Sequence, residues 1–362
     1  MTYDYLIIGA GLTGAVLARE LTDAGKTCLV VEKRPHIGGN LYTERLHGID
    51  VHCYGAHIFH TNQKAVWQYV NRFADFQPFI NSPIANFKGA LYNLPFNMNT
   101  FHTLWGVTTP QEAERKIESE RVPCDQPQNL QEQALALVGR TIYETLIQGY
   151  TQKQWGRACT ALPASIIKRI PLRFTYDNNY FNDRYQGIPQ DGYTAFIQQL
   201  LTGIPVQCGV DYLQNKSAFS GDTVLFTGCM DAYFHYVYGA LAYRSVRFET
   251  KTFPYANHQG VAVMNFTDSQ TPYTRSIEHK HFAHGTQEKT VVSYEYSQEW
   301  QVGEEPYYPL GDATNQALYA RYCELAKTEP QVHFCGRLGS YRYWDMDICV
   351  ANALQLAKEL LA

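Results

Sequence analysis

The stretch from Tyr5 to Asn40 constrains the fold more than any other. An apolar, β-branched run, Tyr5-Leu6-Ile7-Ile8, breaks at Gly9-Ala10-Gly11-Leu12-Thr13-Gly14, and a helical pattern follows to Ala24-Gly25. A second run, Cys28-Leu29-Val30-Val31, closes on Glu32. Continuous apolar runs of this length read as strands buried on both faces. Strand, glycine turn, helix, strand and acid then form one βαβ unit, so the chain is expected to build a parallel sheet flanked by helices.

Each part of that unit has a physical task. Gly9 permits the tight turn, Gly11 admits a pyrophosphate to the backbone, and Gly14 lets helix and strand pack closely. The free N–H groups and positive dipole end of the helix face the phosphates. Glu32 lies 21 residues beyond Gly11, placed to accept hydrogen bonds from ribose hydroxyls. Lys33-Arg34-Pro35-His36-Ile37-Gly38-Gly39-Asn40 adds a second glycine pair within one loop. This Glu-x-Arg-x-x-x-Gly-Gly run resembles flavoproteins of the glutathione-reductase and amine-oxidase type, whose long cofactor needs a second close backbone approach. It points to FAD rather than NAD. No second GxGxxG follows, so a built-in NAD(P)H domain is not expected.

The 362 residues are 45% hydrophobic and 18% charged, a globular balance sufficient for one large α/β domain with insertions or for two to three domains. A formal net charge of −4 gives no support to nucleic-acid or membrane binding, so an anionic ligand must be held by local positive charge. Nine cysteines are scattered with no CxxC pair, which fits reduced thiols better than disulfides or zinc. Met1 leads almost directly into the first strand, and no apolar run approaches a membrane span, so a cytoplasmic protein is expected. Twenty-seven tyrosines supply rings that stack and hydroxyls that bond, a surface suited to sugars and nucleotides.

Along the chain, Val51 to Asn62 carries His52, His57 and His60, but no acid or cysteine stands at a ligand-like interval, so no metal is expected. A short helix through Trp67 ends near Phe73. Alternation from Phe79 to Leu94 turns at Lys88-Gly89. From the Thr109 cap and Pro110 to Gly156 the pattern is helical, ending in Tyr150-Thr151-Gln152-Lys153-Gln154-Trp155. Pro163 to Pro189 reads as an irregular loop. A helix from Gly192 to Leu201 and a strand from Thr223 to Gly228 return to the first domain. Alternation dominates Ser245 to Glu295, an antiparallel sheet that Pro306-Tyr307-Tyr308-Pro309 closes. A helix from Asn315 to Lys327, a strand at Val332 to Cys335 and a terminal helix from near Asp345 follow. The expected fold is α/β with α+β character. A discontinuous Rossmann-like FAD-binding domain (1–77, 190–244 and 312–362) carries a helical-bundle insertion (98–162) and an antiparallel β-sheet domain (78–97, 163–189 and 245–311).

Several stretches together resemble bacterial UDP-galactopyranose mutases across essentially the whole chain. They are Tyr54-Gly55-Ala56-His57-Ile58-Phe59-His60-Thr61, Gly149 to Gly156, Ile167-Lys168-Arg169-Ile170-Pro171, Asp177-Asn178-Asn179-Tyr180-Phe181-Asn182, Pro272-Tyr273-Thr274-Arg275, Pro306 to Pro309 and Gly336-Arg337-Leu338-Gly339. The chain departs at Ala56, where some relatives carry proline, and at Ile147, where some carry an aromatic.

The resemblance implies an isomerase interconverting UDP-galactopyranose and UDP-galactofuranose through a covalent N5 adduct of reduced FAD, without net redox. It implies that Arg169 and Arg275 neutralise the departing diphosphate, with His60 beside the flavin. Tyr180, Tyr308 and Tyr343 would donate hydroxyls to the diphosphate, while Tyr150, Thr151, Trp155, Asn81 and Asn265 line the uridine and sugar end. FAD would be held by Gly9, Gly11, Leu12, Thr13, Gly14, Glu32, Lys33, Arg34, Gly39, Asn40, His57, Arg337, Tyr343, Asp345 and Met346. A homodimer and an unidentified reductant such as NAD(P)H are further implications. The chemistry of these residue types agrees: a diphosphate leaves well once its charge is matched, so no paired carboxylic acids are needed, and bidentate guanidinium contacts supply the match. Two other readings stand beside it, a flavin oxidase or desaturase with the amine-oxidase fold and a catalytically silent FAD-binding protein.

Overall fold

The computed structural model describes residues 2–167 and 171–362. Strand β1 (Tyr3–Ile8) leads into helix α1 (Leu12–Asp23) and strand β2 (Cys28–Glu32). A hairpin of β3 (Thr43–Leu46) and β4 (Ile49–His52) follows, then β5 (Phe59–Thr61), α2 (Lys64–Val70) and β6 (Phe76–Pro78). A second hairpin, β7 (Ile84–Phe87) and β8 (Ala90–Asn93), turns through Lys88 and Gly89, both at positive φ. The helical insertion comprises α3 (Met98–Trp105), α4 (Pro110–Glu120), α5 (Leu130–Val138), α6 (Arg140–Ile142) running into a π turn (Tyr143–Ile147), and α7 (Gln148–Trp155). Then come β9 (Tyr185–Pro189), α8 (Gly192–Leu200), β10 (Val206–Cys208), β11 (Gly221–Phe226), α9 (Met230–Tyr233) and the long strand β12 (Tyr243–Phe253). The chain closes with β13 (Val263–Phe266), β14 (Arg275–Glu278), β15 (Thr290–Glu299), β16 (Tyr308–Pro309), α10 (Ala313–Ala326), β17 (Val332–Phe334), α11 (Gly336–Gly339) and α12 (Met346–Leu361).

The first sheet runs β10-β2-β1-β11-β17, all parallel. Its strands are apolar on both faces because each face meets a core. Ile7 and Val30 pack with Leu17 and Leu21 of α1 and with α12, while Leu6, Leu29 and Val31 pack with Tyr212 and Phe226. From β1 the chain moves to β2 on one side and later to β11 on the other, so strand order reverses at β1. In such sheets the crevice beyond the strand ends at the reversal point takes the ligand.

The second sheet has seven strands in the order β16-β12-β15-β14-β13-β7-β8. The alternating patterns from Ser245 to Glu295 form its centre. One pairing departs from the antiparallel expectation: β7 lies parallel to β13, with Met264 opposite Ile84. A strand arriving from far earlier in the chain carries no turn that would force it antiparallel. Tyr308-Pro309 also pairs with β12 and extends the sheet instead of merely closing the insertion.

The stretch Pro163 to Pro189 is not irregular to its end. Tyr185–Pro189 forms β9, sandwiched between β5 and β6 in a three-stranded sheet, so these five residues join the strands of the N-terminal unit rather than the seven-stranded sheet. Gln186 and Ile188 gave no periodicity long enough to read. The insertion has its own core around Met98, Phe101, Leu130 and Ile142, and three of its helices are capped by side chains: Asn97, Thr109 and Asn129 accept bonds from first-turn N–H groups. No helix among the described residues is long and apolar enough to cross a membrane.

Candidate active site

One cavity of about 980 Å³ begins at the β1–α1 turn and runs to the edge of the seven-stranded sheet. That volume sits at the upper end of the range for a single ligand, ~300–1,000 Å³.

At the first end Gly9 has φ +107° and α1 starts behind Gly11. A Cβ on Gly14 would fall 2.0 Å from the Gly9 carbonyl oxygen, so Gly14 serves close packing. A Cβ on Gly11 would meet nothing nearer than Gly39 Cα at 3.8 Å. Gly11 therefore keeps space open for something other than protein, and the second glycine loop forms the opposite lip. Glu32 Oε2 accepts from Ala10 N–H and Oε1 from Arg34 N–H, both at 2.8 Å, which fixes the carboxylate at the end of β2. Arg34 lies over the Tyr54 ring at 4.4 Å and donates through Nη2 to Asn40 and Glu305. Its Nη1 is buried with no protein partner, as is Nε of Arg337. Both arginines line the cavity, and an orphaned donor there calls for an acceptor on a ligand.

Arg337 follows β17, donates to the Tyr307 carbonyl at 3.0 Å and lies over Tyr343 at 4.9 Å. Helix α12 begins beside it. Asp345 caps this helix without a side-chain bond, so its carboxylate and the Met346 and Asp347 N–H groups remain unpaired at the helix start, while Ile348 N–H donates to Asp347 Oδ1; Asp345 and Met346 both line the cavity wall. Leu12, Thr13, Lys33, Asn40 and His57 line the same region. Burial, with the nearby Arg337 and Arg275 charges, pulls the His57 imidazole down to about 3, so it is neutral at neutral pH. The chemistry of this end fits a flavin dinucleotide: a glycine cradle, an oriented acid, two orphaned guanidinium donors and a helix N-terminus.

At the other end β14 and β15 place Arg275 opposite Glu295. Arg275 Nε lies 3.0 Å from both carboxylate oxygens and Nη2 2.5 Å from Oε2. Thr274 Oγ1 also donates to Glu295 at 3.0 Å. The guanidinium is thus clamped along one edge, with Nη1 facing away from the clamp. Tyr150, Tyr180, Tyr308 and Tyr343 line the surrounding wall, and Tyr308 meets Tyr343 edge-on at 5.7 Å. Asn81 and Asn265 line it too, Asn265 with a buried and unpartnered Oδ1. His60 stacks on Phe181 at 3.8 Å and shares Nδ1 with Asp183 Oδ2 at 2.6 Å. That bond leaves Nε2 as its free nitrogen.

Two residues expected at the substrate end stand outside the main cavity. Thr151 is buried in the insertion, and Trp155 lines a smaller neighbouring cavity of about 160 Å³ and meets Tyr308, on the wall of the main one, edge-on at 6.1 Å. A helix turns 100° per residue, so Tyr150 and Gln154 share the cavity face while Thr151 and Trp155 lie to its sides. Arg169 lies outside the described residues.

Other residues join the site that motif reading had passed over. Glu295 clamps Arg275, and Asp183 holds His60. Arg173 donates to the Asn179 and Tyr180 carbonyls and to Asn182, which fixes the loop that carries Tyr180. Lys153 Nζ donates to the carbonyls of Phe266, Thr271 and Tyr273 at 2.8 to 3.0 Å, tying α7 to the sheet. The alternation around Arg275 and Glu295 was the one available signal, since paired strands of opposite charge face each other at matched register. Among the described residues no cluster of three histidines, cysteines or acids has metal-holding geometry.

Comparison with known proteins agrees on one family. Residues 145–343 match the family model for UDP-galactopyranose mutase, and residues 7–73 match that of an NAD(P)-binding Rossmann-like domain. A probable UDP-galactopyranose mutase of Klebsiella pneumoniae is 40% identical over 99% of this chain and 95% of its own length. A dTDP-fucopyranose mutase of Escherichia coli is 39% identical over 98% and 97%. A crystal structure of a reduced UDP-galactopyranose mutase superposes with a TM-score of 0.76, covering 100% of this chain and 94% of that one at 16% identity, a likeness of fold.

Proposed function

The chain belongs to the UDP-galactopyranose mutase family, a family of flavin-dependent isomerases, and from that premise we propose that it interconverts UDP-galactopyranose and UDP-galactofuranose with reduced FAD as its cofactor. The observation that carries this reading is the undivided cavity. A dinucleotide cradle occupies one end and a clamped guanidinium among four tyrosines the other, so a flavin ring and a sugar anomeric carbon can meet in the middle.

Held by the glycine turn, Glu32, Arg34 and Arg337, reduced FAD would supply a nucleophilic nitrogen for displacement at the anomeric carbon, with no net redox. The chain's own residues supply the rest. Arg275, held by Glu295, sets its free Nη1 against the diphosphate as the bond to the anomeric oxygen breaks, and Arg169 is assigned the same task. Charge-assisted bonds of this kind contribute roughly 1.5–3 kcal/mol each. Tyr180, Tyr308 and Tyr343 donate hydroxyls to the same oxygens, while Tyr150, Asn81 and Asn265 orient uridine and sugar. No general acid is needed at the departing phosphate. His60, fixed through Nδ1 by Asp183, offers Nε2 to hold a proton while the sugar ring is open. Neutral His57 adds no positive charge beside the flavin. The proposal includes a cytoplasmic homodimer and an external reductant such as NAD(P)H.

The dTDP-fucopyranose mutase relative, at 39% identity, supports a second reading in which the same ring contraction acts on a deoxythymidine-linked 6-deoxy sugar. One assay separates them. The FAD-loaded protein, oxidised or dithionite-reduced, is incubated with UDP-galactofuranose or dTDP-fucofuranose and the pyranose is followed by chromatography. Turnover of the UDP sugar by reduced protein alone is expected. Equal turnover by oxidised protein contradicts the mechanism, and a strong preference for the dTDP sugar reassigns the substrate.

A further inference from the structure

Lys33 and Arg34 directly follow Glu32, at the end of β2 where the cradle takes the adenosine half of a dinucleotide. Facing them is Glu305, from the segment that joins β15 to β16. Its carboxylate lies 2.7 Å from Lys33 Nζ and 2.8 Å from Arg34 Nη2. Arg34 is not free to follow a moving partner, because Asn40 holds the same nitrogen at 3.0 Å and the guanidinium rests on Tyr54. Trp300, Gly303, Glu304, Glu305 and Pro306 line the cavity. One wall of the adenosine end is therefore supplied by the sheet unit, reaching across to the cofactor unit.

That wall is tethered unevenly. Its tip closes on itself: Glu304 N–H donates to the Gln301 carbonyl at 3.0 Å, Trp300 Nε1 donates to the Glu304 carbonyl at 2.8 Å, and Gly303 turns at φ +100°. Val302 at the tip is 58% exposed, an apolar side chain with little to hold it. The downstream end is anchored, since Ser245 Oγ donates to the Glu305 carbonyl at 2.8 Å and Tyr307 N–H to Arg244 at 2.9 Å. Between a free tip and a fixed base, the Glu305 carboxylate is the group that crosses the gap.

We propose that residues 300–306 form a strap over the adenosine end of bound FAD, latched by Glu305 to Lys33 and Arg34, and that this latch sets the rate at which the flavin leaves. The proposal rests on the cavity's being an FAD site. Glu305 acts here as a positioning residue: it closes the wall and holds Arg34, whose unpartnered Nη1 then points to the ligand. Side chains of Lys33 and Glu305 are 51% and 38% exposed, so solvent ions reach the pair and flavin release is salt-dependent through it.

The test loads wild type and Glu305→Gln with FAD, dilutes each, and follows the recovery of free-flavin fluorescence. Release is expected to be about five- to tenfold faster in the variant, the range that loss of two partly exposed ion pairs allows. Raising salt from roughly 50 to roughly 500 mM shortens the Debye length about threefold and is expected to speed release from wild type but not from Glu305→Gln. Lys33→Gln is expected to give part of the acceleration and to add nothing in the Glu305→Gln background. Wild-type release rate and salt response in Glu305→Gln overturn the strap and leave the FAD site intact. A wild-type protein that retains no flavin overturns both.

Discussion

Arg275 and Glu295 depend on each other, and that dependence separates stability from catalysis. Glu295's side chain is only 7% exposed, so Arg275→Ala leaves a carboxylate without its cation, a loss of about 3–5 kcal/mol for a buried pair broken on one side. Arg275→Ala/Glu295→Gln is expected to recover most of that stability in urea unfolding while turnover stays lost. A double variant that regains activity along with stability contradicts the role given to Arg275. Gly11→Ala tests the cofactor cradle at the same scale. The nearest protein atom to its new Cβ is 3.8 Å away and its φ is −77°, so apo-protein melting is expected to stay within a degree or two. Flavin affinity, measured by fluorescence titration, is expected to drop at least tenfold; unchanged affinity contradicts pyrophosphate approach at Gly11. Glycines and single arginines were legible in the sequence because each carries its own chemistry. Glu295, Asp183 and Glu305 were not, because a carboxylate's task here is defined by a partner 20, 123 or 271 residues away.

Helix α7 is the element on which the substrate end turns. The π turn at Tyr143–Ile147 inserts into its approach, Gly149 lets it seat on the sheet, Lys153 ties it there, and Gly156 ends it in the left-handed region at φ +65°. A Cβ on Gly149 would stand 2.4 Å from the Thr267 carbonyl oxygen. Gly149→Ala is therefore expected to cost about 1–3 kcal/mol and to raise KM more than it lowers kcat, since Tyr150 moves with the helix. An unaltered KM contradicts the placement of Tyr150 against substrate. Long amphipathic elements, α4 and α5 with their caps and α8 and α12 without, were readable from pattern alone. The short strands β5, β6 and β9 were not, for three to five residues show no period and their pairing is decided by tertiary contacts. The same limit hid the parallel join of β7 to β13.

Across the whole molecule, a file of histidines, His52 and His279 buried and His57 half-buried at the cavity wall, connects the cofactor unit to the seven-stranded sheet. His57 N–H donates to His52 Nδ1, His52 N–H to His279 Nδ1, each at 3.2 Å, and His279 Nε2 meets Ser293 Oγ at 2.7 Å. Backbone donors to Nδ1 fix His52 and His279 as neutral Nε2–H tautomers. Burial drives both His57 and His279 down to about 3, and His52 well below its ordinary value. The unfolded chain takes up these protons near pH 6.5, about the ordinary imidazole value, so stability is full above that point and is lost as pH falls toward the folded values. Each histidine contributes a slope of up to about 1.4 kcal/mol per pH unit in that window. The apo protein is expected to unfold at markedly lower urea near pH 5 than near pH 7, and His279→Asn to flatten the difference; equal midpoints contradict the neutral file.

On the reading proposed above, one cleft would take two nucleotides end to end, the flavin at the β1 turn and the substrate diphosphate at the sheet edge. The most direct measurement is a crystal structure of the reduced, FAD-loaded protein with UDP. The UDP diphosphate is expected within hydrogen-bond reach of Arg275 Nη1 and the Tyr308 and Tyr343 hydroxyls, with the FAD pyrophosphate against Gly11 and Gly39. UDP seated at the β1 turn, or away from Arg275 with the flavin in place, would contradict that reading.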